Sequence, residues 1–151
     1  MRKTCFSAAV GIVTALCLFC GGSSMKKIGM DNGMFKPCPE SPNCVSTMEK
    51  DKEHTIAPLV YAGNRDAART ALIILLKGYA GCRIEQSRDE YIHCIFTTKI
   101  MRFKDDVEFF FPADENIIHM RSASRIGYSD MGVNRKRMEK IRADFKKVTA
   151  Q

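Results

Sequence analysis

Tryptophan is absent from the 151 residues, and histidine occurs only three times. His54, His93 and His119 stand in no recognisable motif spacing, and no Cys-x-x-Cys pair follows residue 20. A Cys/His zinc site of the usual short spacing is therefore unsupported, as is an obvious imidazole base for a nucleophile. No repeat is visible. No apolar run approaches the roughly 20 residues that a membrane-spanning helix needs; Ala8 to Phe19 comes nearest and is too short. The remaining body, with charged residues making up 27% of the chain, reads as one soluble globular domain preceded by a leader.

Charge is concentrated rather than spread. Between Arg135 and Lys147 seven Lys and Arg stand against Glu139 and Asp144, which with Arg2 and Lys3 accounts for the net charge of +7. A basic helix of this kind is either a solvated face or a surface for phosphate groups or an anionic membrane. Nucleic acid is not an expected partner, because the leader marks the chain for export.

Residues 1–20 read as that export signal: Arg2 and Lys3 form the positive start, Ala8 to Phe19 the apolar core, and Cys20-Gly21-Gly22-Ser23-Ser24 follows. A Cys directly after the apolar core resembles a bacterial lipoprotein signal, in which the Cys thiol takes a diacylglyceryl group and becomes the mature N-terminus. Leu18 and Phe19 depart from the small residues usual before that Cys. An ordinary cleaved signal ending near Ser23 or Ser24 and an uncleaved anchor are the alternatives. Lipidation at Cys20 implies a membrane-anchored protein of the cell envelope, with residues 21–36 as a tether.

Cleavage at Cys20 leaves four cysteines, an even number for an oxidising compartment. Cys38 and Cys44 enclose the turn-prone Pro39-Glu40-Ser41-Pro42-Asn43 and are expected as a disulfide. Cys82 and Cys94 fall in two consecutive strands and either face each other as a second bridge or stay as buried thiols.

Along the chain, residues 25–55 look irregular, and His54 reads as a surface residue. Ile56–Tyr61 reads as a short edge strand, with Pro58 unable to donate to a ladder. Asn64 or Asp66 caps a helix whose stripe is Ala68, Ala71, Leu72, Leu75 and Leu76, with Gly78 as its stop. Four strands follow, at Cys82–Ser87, Tyr91–Lys99, Val107–Pro112 and Ile117–Ser124. Alternation in the second turns His93 towards solvent. In the fourth, Ile118, Met120, Ser122 and Ser124 share one face, and His119, Arg121 and Ala123 the other. A last helix, capped by Asp130 or Asn134, has the stripe Met138, Ile141, Phe145 and Val148. The order β-α-β-β-β-β-α with short links gives an α+β domain over residues 37–149, an antiparallel sheet of four to five strands carrying two helices.

The segments CPESPNCVST, FKDDVEFFF and RSASRIGYSDMGVNRKR together resemble an uncharacterised bacterial and plastid family, domain of unknown function 1499. They fall here on Cys38 to Thr47, Phe103 to Phe111 and Arg121 to Arg137. Thr47 and Met131 stand where the family pattern has Ser and Leu. The resemblance implies this domain and an envelope-type location, and no established activity, cofactor or metal.

The chemistry these segments offer is anion recognition. Arg121, Arg125 and Arg135 are rigid forks of donors suited to carboxylate or phosphate. Ser122, Ser124 and Ser129 add hydroxyls, while Gly127, Gly132, Asp130 and Asn134 mark the turn into a helix whose N-terminus favours an anion. Either this turn takes an anionic ligand, lipid headgroup or envelope protein, or the arginines pair with Asp105, Asp106, Glu108 and Asp130 as a structural network. Adjacent Asp105 and Asp106 point to opposite faces of a strand, which disfavours a general acid/base pair. Asp106 and Glu108 share a face but are too few to name a metal. A hydrolase using Ser122 or Ser124 with Asp106 is the alternative to a non-catalytic binding or assembly module.

Overall fold

The computed structural model describes residues 28–150. Its strands are β1 (Met30–Asp31), β2 (Met34–Phe35), β3 (Cys44–Ser46), β4 (Leu59–Val60), β5 (Cys82–Ser87), β6 (Tyr91–Thr97), β7 (Lys104–Phe110) and β8 (Ile117–Ser124). Its helices are α1 (Arg65–Gly78) and α2 (Val133–Thr149). The fold is α+β. The main sheet runs β3-β8-β7-β6-β5, entirely antiparallel, and β4 pairs with the stretch of β8 that β3 leaves open. It therefore has six strands, slightly more than periodicity indicates.

Strand alternation builds the core. Ile92, Cys94 and Phe96 of β6 lie in register with Phe109, Val107 and Asp105 of β7, and these with Met120, Ser122 and Ser124 of β8. This face packs against Ala68, Leu72 and Leu76 of α1 and Met138, Ile141 and Phe145 of α2. Burying a large apolar side chain of this kind contributes roughly 2 kcal/mol. Val148, expected in the α2 stripe, is instead exposed, in the helix's final turn.

Local chemistry sets the helix ends. The Asn64 side-chain oxygen accepts from the backbone N–H of Asp66 and Ala67, at 2.6 and 3.1 Å, and so caps α1. After α1 the chain turns through Gly81 at φ +79°, where a Cβ would stand 2.5 Å from the Thr97 carbonyl oxygen. Only glycine fits there. This turn delivers β5 alongside β6.

Residues 28–55 depart from the irregular tether and loop read from the sequence. β1 and β2 form a small hairpin, and β3 joins the main sheet beside β8. The Gly29 N–H reaches Glu108 Oε1 at 2.7 Å, so this segment meets the sheet on the face away from the helices. His93 is consequently buried and does not face solvent. His54 is buried too, its Nδ1 bonded to Asp51 Oδ1 at 2.8 Å. Residues 1–20, read above as an export signal ending at Cys20, lie outside the described residues. Among the described residues no helix is long and apolar enough to cross a membrane.

Candidate functional site

β7 and β8 carry two polar clusters, back to back on opposite faces of the sheet. On the helix side, Asp105 Oδ1 accepts from Ser124 Oγ at 2.7 Å and its Oδ2 from Arg137 Nη2 at 2.6 Å. Asn134, at the start of α2, binds these groups together. Its Oδ1 accepts from Ser122 Oγ at 2.5 Å and Arg137 Nη1 at 2.7 Å, and its Nδ2 donates to the Asn43 carbonyl and to Ser124 Oγ, each at 3.0 Å. The Arg137 guanidinium also lies over the Phe96 ring, 4.9 Å from its centroid, a favourable cation–aromatic arrangement.

On the opposite face, Arg125 grips Asp106 with Nε and Nη2, both at 2.9 Å, and His93 Nε2 approaches the same carboxylate at 2.8 Å. Two residues along β7, Glu108 is fully buried. Its Oε2 accepts from Arg121 Nη1 at 2.9 Å; its Oε1 accepts from Tyr91 Oη and the Gly29 N–H, each at 2.7 Å. A carboxylate removed from water keeps its charge only with such partners. Arg121 Nε is buried without a partner.

Burial raises the pKa of Asp106, but the His93 and Arg125 hydrogen bonds outweigh it and hold the carboxyl at about 2. Tyr91 is pushed well above its ordinary value by burial and by the adjacent Glu108 charge, so its hydroxyl stays a donor. The His119 pKa is lowered by burial.

The turn between the two clusters is satisfied by its own residues. Asp130 accepts from the backbone N–H of Gly132 and Asn134, at 2.9 and 2.6 Å, occupying donors that an anion at this helix end would use. Gly132 itself is the N-cap residue of α2, in the left-handed region at φ +76°. Asn43 Nδ2 donates to the Gly127 carbonyl, tying the turn to the loop that the Cys38–Cys44 disulfide closes. Arg135 meets backbone carbonyls of Thr55 and Glu53, at 2.9 and 2.6 Å, and no carboxylate among the described residues.

The sequence therefore named most of these residues but grouped them as one site. Asp105, Ser122, Ser124 and Asn134 come together on one face, Asp106, Glu108, Arg121 and Arg125 on the other, with Asp130 and Arg135 at the turn. The pairing differs in detail from the network the spacing suggests: Arg137, not Arg135, takes Asp105. Asn43, Tyr91, His93 and Arg137 were missed as members. Arg137 carried a readable signal, one helical turn after Asn134; Asn43 and Tyr91 carried none, since their contacts span 91 and 17 positions of chain.

The model of the family described as "Protein of unknown function (DUF1499)" matches residues 34–145. The chain belongs to DUF1499. No curated protein and no solved structure matches it. The matched span opens at β2, takes in the disulfide loop and both polar clusters, and closes at Phe145 in the buried stripe of α2, so the DUF1499 domain is the folded unit described above. Among its described residues no group of three His, Cys, Asp or Glu side chains could hold a metal ion. Cys82 and Cys94 are thiols.

Proposed function

We propose that the chain is a non-catalytic binding or assembly module of the cell envelope, held at a membrane by a lipid on Cys20. In this reading the two polar clusters are a frame. They fix the end of β8, the disulfide loop and the start of α2 relative to one another, and the surface they hold out does the binding.

One observation carries this reading: the side chains with chemical potential are spent on one another. Ser122 and Ser124 contact Asn134, Arg137 and Asp105, and neither hydroxyl touches an imidazole. Asp106, the carboxylate that a serine hydrolase here would require, is bonded to His93 and Arg125 across the sheet from both hydroxyls. A nucleophile needs a base within hydrogen-bond reach, and strand alternation places these groups on opposite faces.

The test is the intact mass of protein recovered from its host membrane after incubation with a fluorophosphonate. The module reading predicts an unchanged mass. An adduct that Ser122→Ala or Ser124→Ala abolishes would establish the hydrolase instead.

A further inference from the structure

Two loops leave the same end of the sheet with apolar side chains turned outward. The β6–β7 hairpin, closed by the Thr98 N–H donating to the Phe103 carbonyl at 2.9 Å, exposes Ile100, Met101 and Phe103. The β8–α2 turn exposes Ile126, Tyr128 and Met131. They sit at one end because Thr97 pairs with Lys104, Asp105 pairs with Ser124, and the Arg125 N–H donates to the Lys104 carbonyl. Ile100 and Met131 are 87% and 88% exposed, an orientation that folding of this chain alone does not reward.

Backbone conformation reinforces the point. Arg102 and Met131 lie in the left-handed region at φ +56° and +54°, a conformation unfavourable for a residue with a Cβ.

The exposed charge around the loops is mainly positive, with Asp130 half-buried in the turn itself. Lys99, Arg102, Lys104 and Lys136 are exposed, and none forms an ion pair among the described residues. The exposed acid at this end is Glu40, on the disulfide loop. The opposite end of the sheet, where β5 turns into β6 and β7 into β8, exposes Asp89, Glu90, Asp114 and Glu115 against Arg88, with the half-buried Arg65 and Arg69 bonded to the β5–β6 turn. Apolar tips flanked by unpaired cations, with acid at the far end, suit an anionic phospholipid surface. The apolar side chains enter the boundary between headgroups and acyl chains while the cations meet phosphates.

We infer that this end of the sheet docks on the surface of an anionic phospholipid bilayer, through the tips of the β6–β7 hairpin and the β8–α2 turn. The inference rests on the reading above, in which the polar clusters are the frame and the turn they hold is the binding surface.

The absence of tryptophan from the sequence supplies the test. Met131→Trp places a single reporter in one tip, and Ile100→Trp an independent one in the other should the first misfold. Val60→Trp, at an exposed site on β4 away from both tips, is the control. The full chain is mixed with vesicles of phosphatidylglycerol or phosphatidylcholine. A blue shift and quenching by brominated acyl chains are expected for the tip reporters on phosphatidylglycerol alone, and not for Val60→Trp. Adding Lys99→Gln or Arg102→Gln should weaken partition about fivefold for each charge removed. A tip reporter that stays unshifted while the chain sediments with phosphatidylglycerol overturns docking and leaves the anchored module standing. A chain that neither sediments nor shifts overturns both. An equal shift on phosphatidylcholine overturns the anionic specificity.

Discussion

Arg121 and Glu108 face each other across β8 and β7 on the side of the sheet away from the helices, Nη1 to Oε2 at 2.9 Å, with side chains 3% and 0% exposed. Removing one partner strands the other charge without water. Arg121→Ala or Glu108→Ala is expected to cost about 3–5 kcal/mol in urea unfolding. Replacing both, Arg121→Met with Glu108→Leu, should recover much of that loss, since the pair's desolvation cost disappears with it. Single variants within about 1 kcal/mol of the parent would show that the pair does not hold the sheet.

Asp106 makes stability depend on pH at the acid end. Its folded pKa of about 2 lies below the ordinary aspartate value of about 3.9, so the folded state binds this proton less readily than the unfolded chain. The resulting stabilisation, about 2 kcal/mol, is fully present above pH 4 and is lost as pH falls towards 2. Asp106→Asn should remove this part of the acid transition, read as unfolding midpoints between pH 2 and 6.

His54 acts in the opposite sense. Burial lowers its pKa, but the hydrogen bonds to Asp51 and the Ser41 carbonyl, with the Asp51 charge, outweigh that and raise it. Its contribution is fully present below the unfolded value of about 6.5 and is lost as pH rises through the folded one. His54→Gln should flatten the slope of stability in that window while leaving the acid limb set by Asp106 unchanged.

The cysteines divide into a bridge and two unlike thiols. The Cys38–Cys44 bridge closes a short loop, and Cys38→Ser with Cys44→Ser should cost about 2 kcal/mol by the chain-entropy relation. Cys94 is raised by its hydrogen bond with Cys82 and by burial, whereas that same bond lowers Cys82 against its own burial. An alkylating reagent on the native protein should therefore mark Cys82 first and reach Cys94 only on unfolding, as peptide mapping would record. Equal rates at both would contradict the contact.

How much of this was legible beforehand follows from period and distance. Strand faces in β7 and β8 were readable because side chains alternate strictly, which is why Asp105 and Asp106 were separable from sequence alone. The same alternation placed His93 opposite the core correctly but assigned that face to solvent. It is covered by a segment more than fifty positions earlier, whose two-residue strands β1 and β2 have no period to read. β3 was obscured for the same reason: at three residues it is defined by pairing with β8 rather than by any pattern of its own, whereas β4 falls inside the edge strand that Ile56–Tyr61 indicates. The arginine and carboxylate residues were visible as a set. Which guanidinium meets which carboxylate depends on where α2 crosses the sheet, and that is a tertiary fact.

We propose that the arginine and carboxylate clusters are an internal frame and not a cradle for a ligand. Thermal unfolding of the full chain, at constant ionic strength in chloride, phosphate or pyrophosphate, tests it most directly. An anion bound at a hundred times its dissociation constant would add about 2.7 kcal/mol, on the order of ten degrees for a domain of this size. The frame predicts coincident midpoints in the three salts. A saturable rise in phosphate or pyrophosphate that Arg125→Ala abolishes would contradict it.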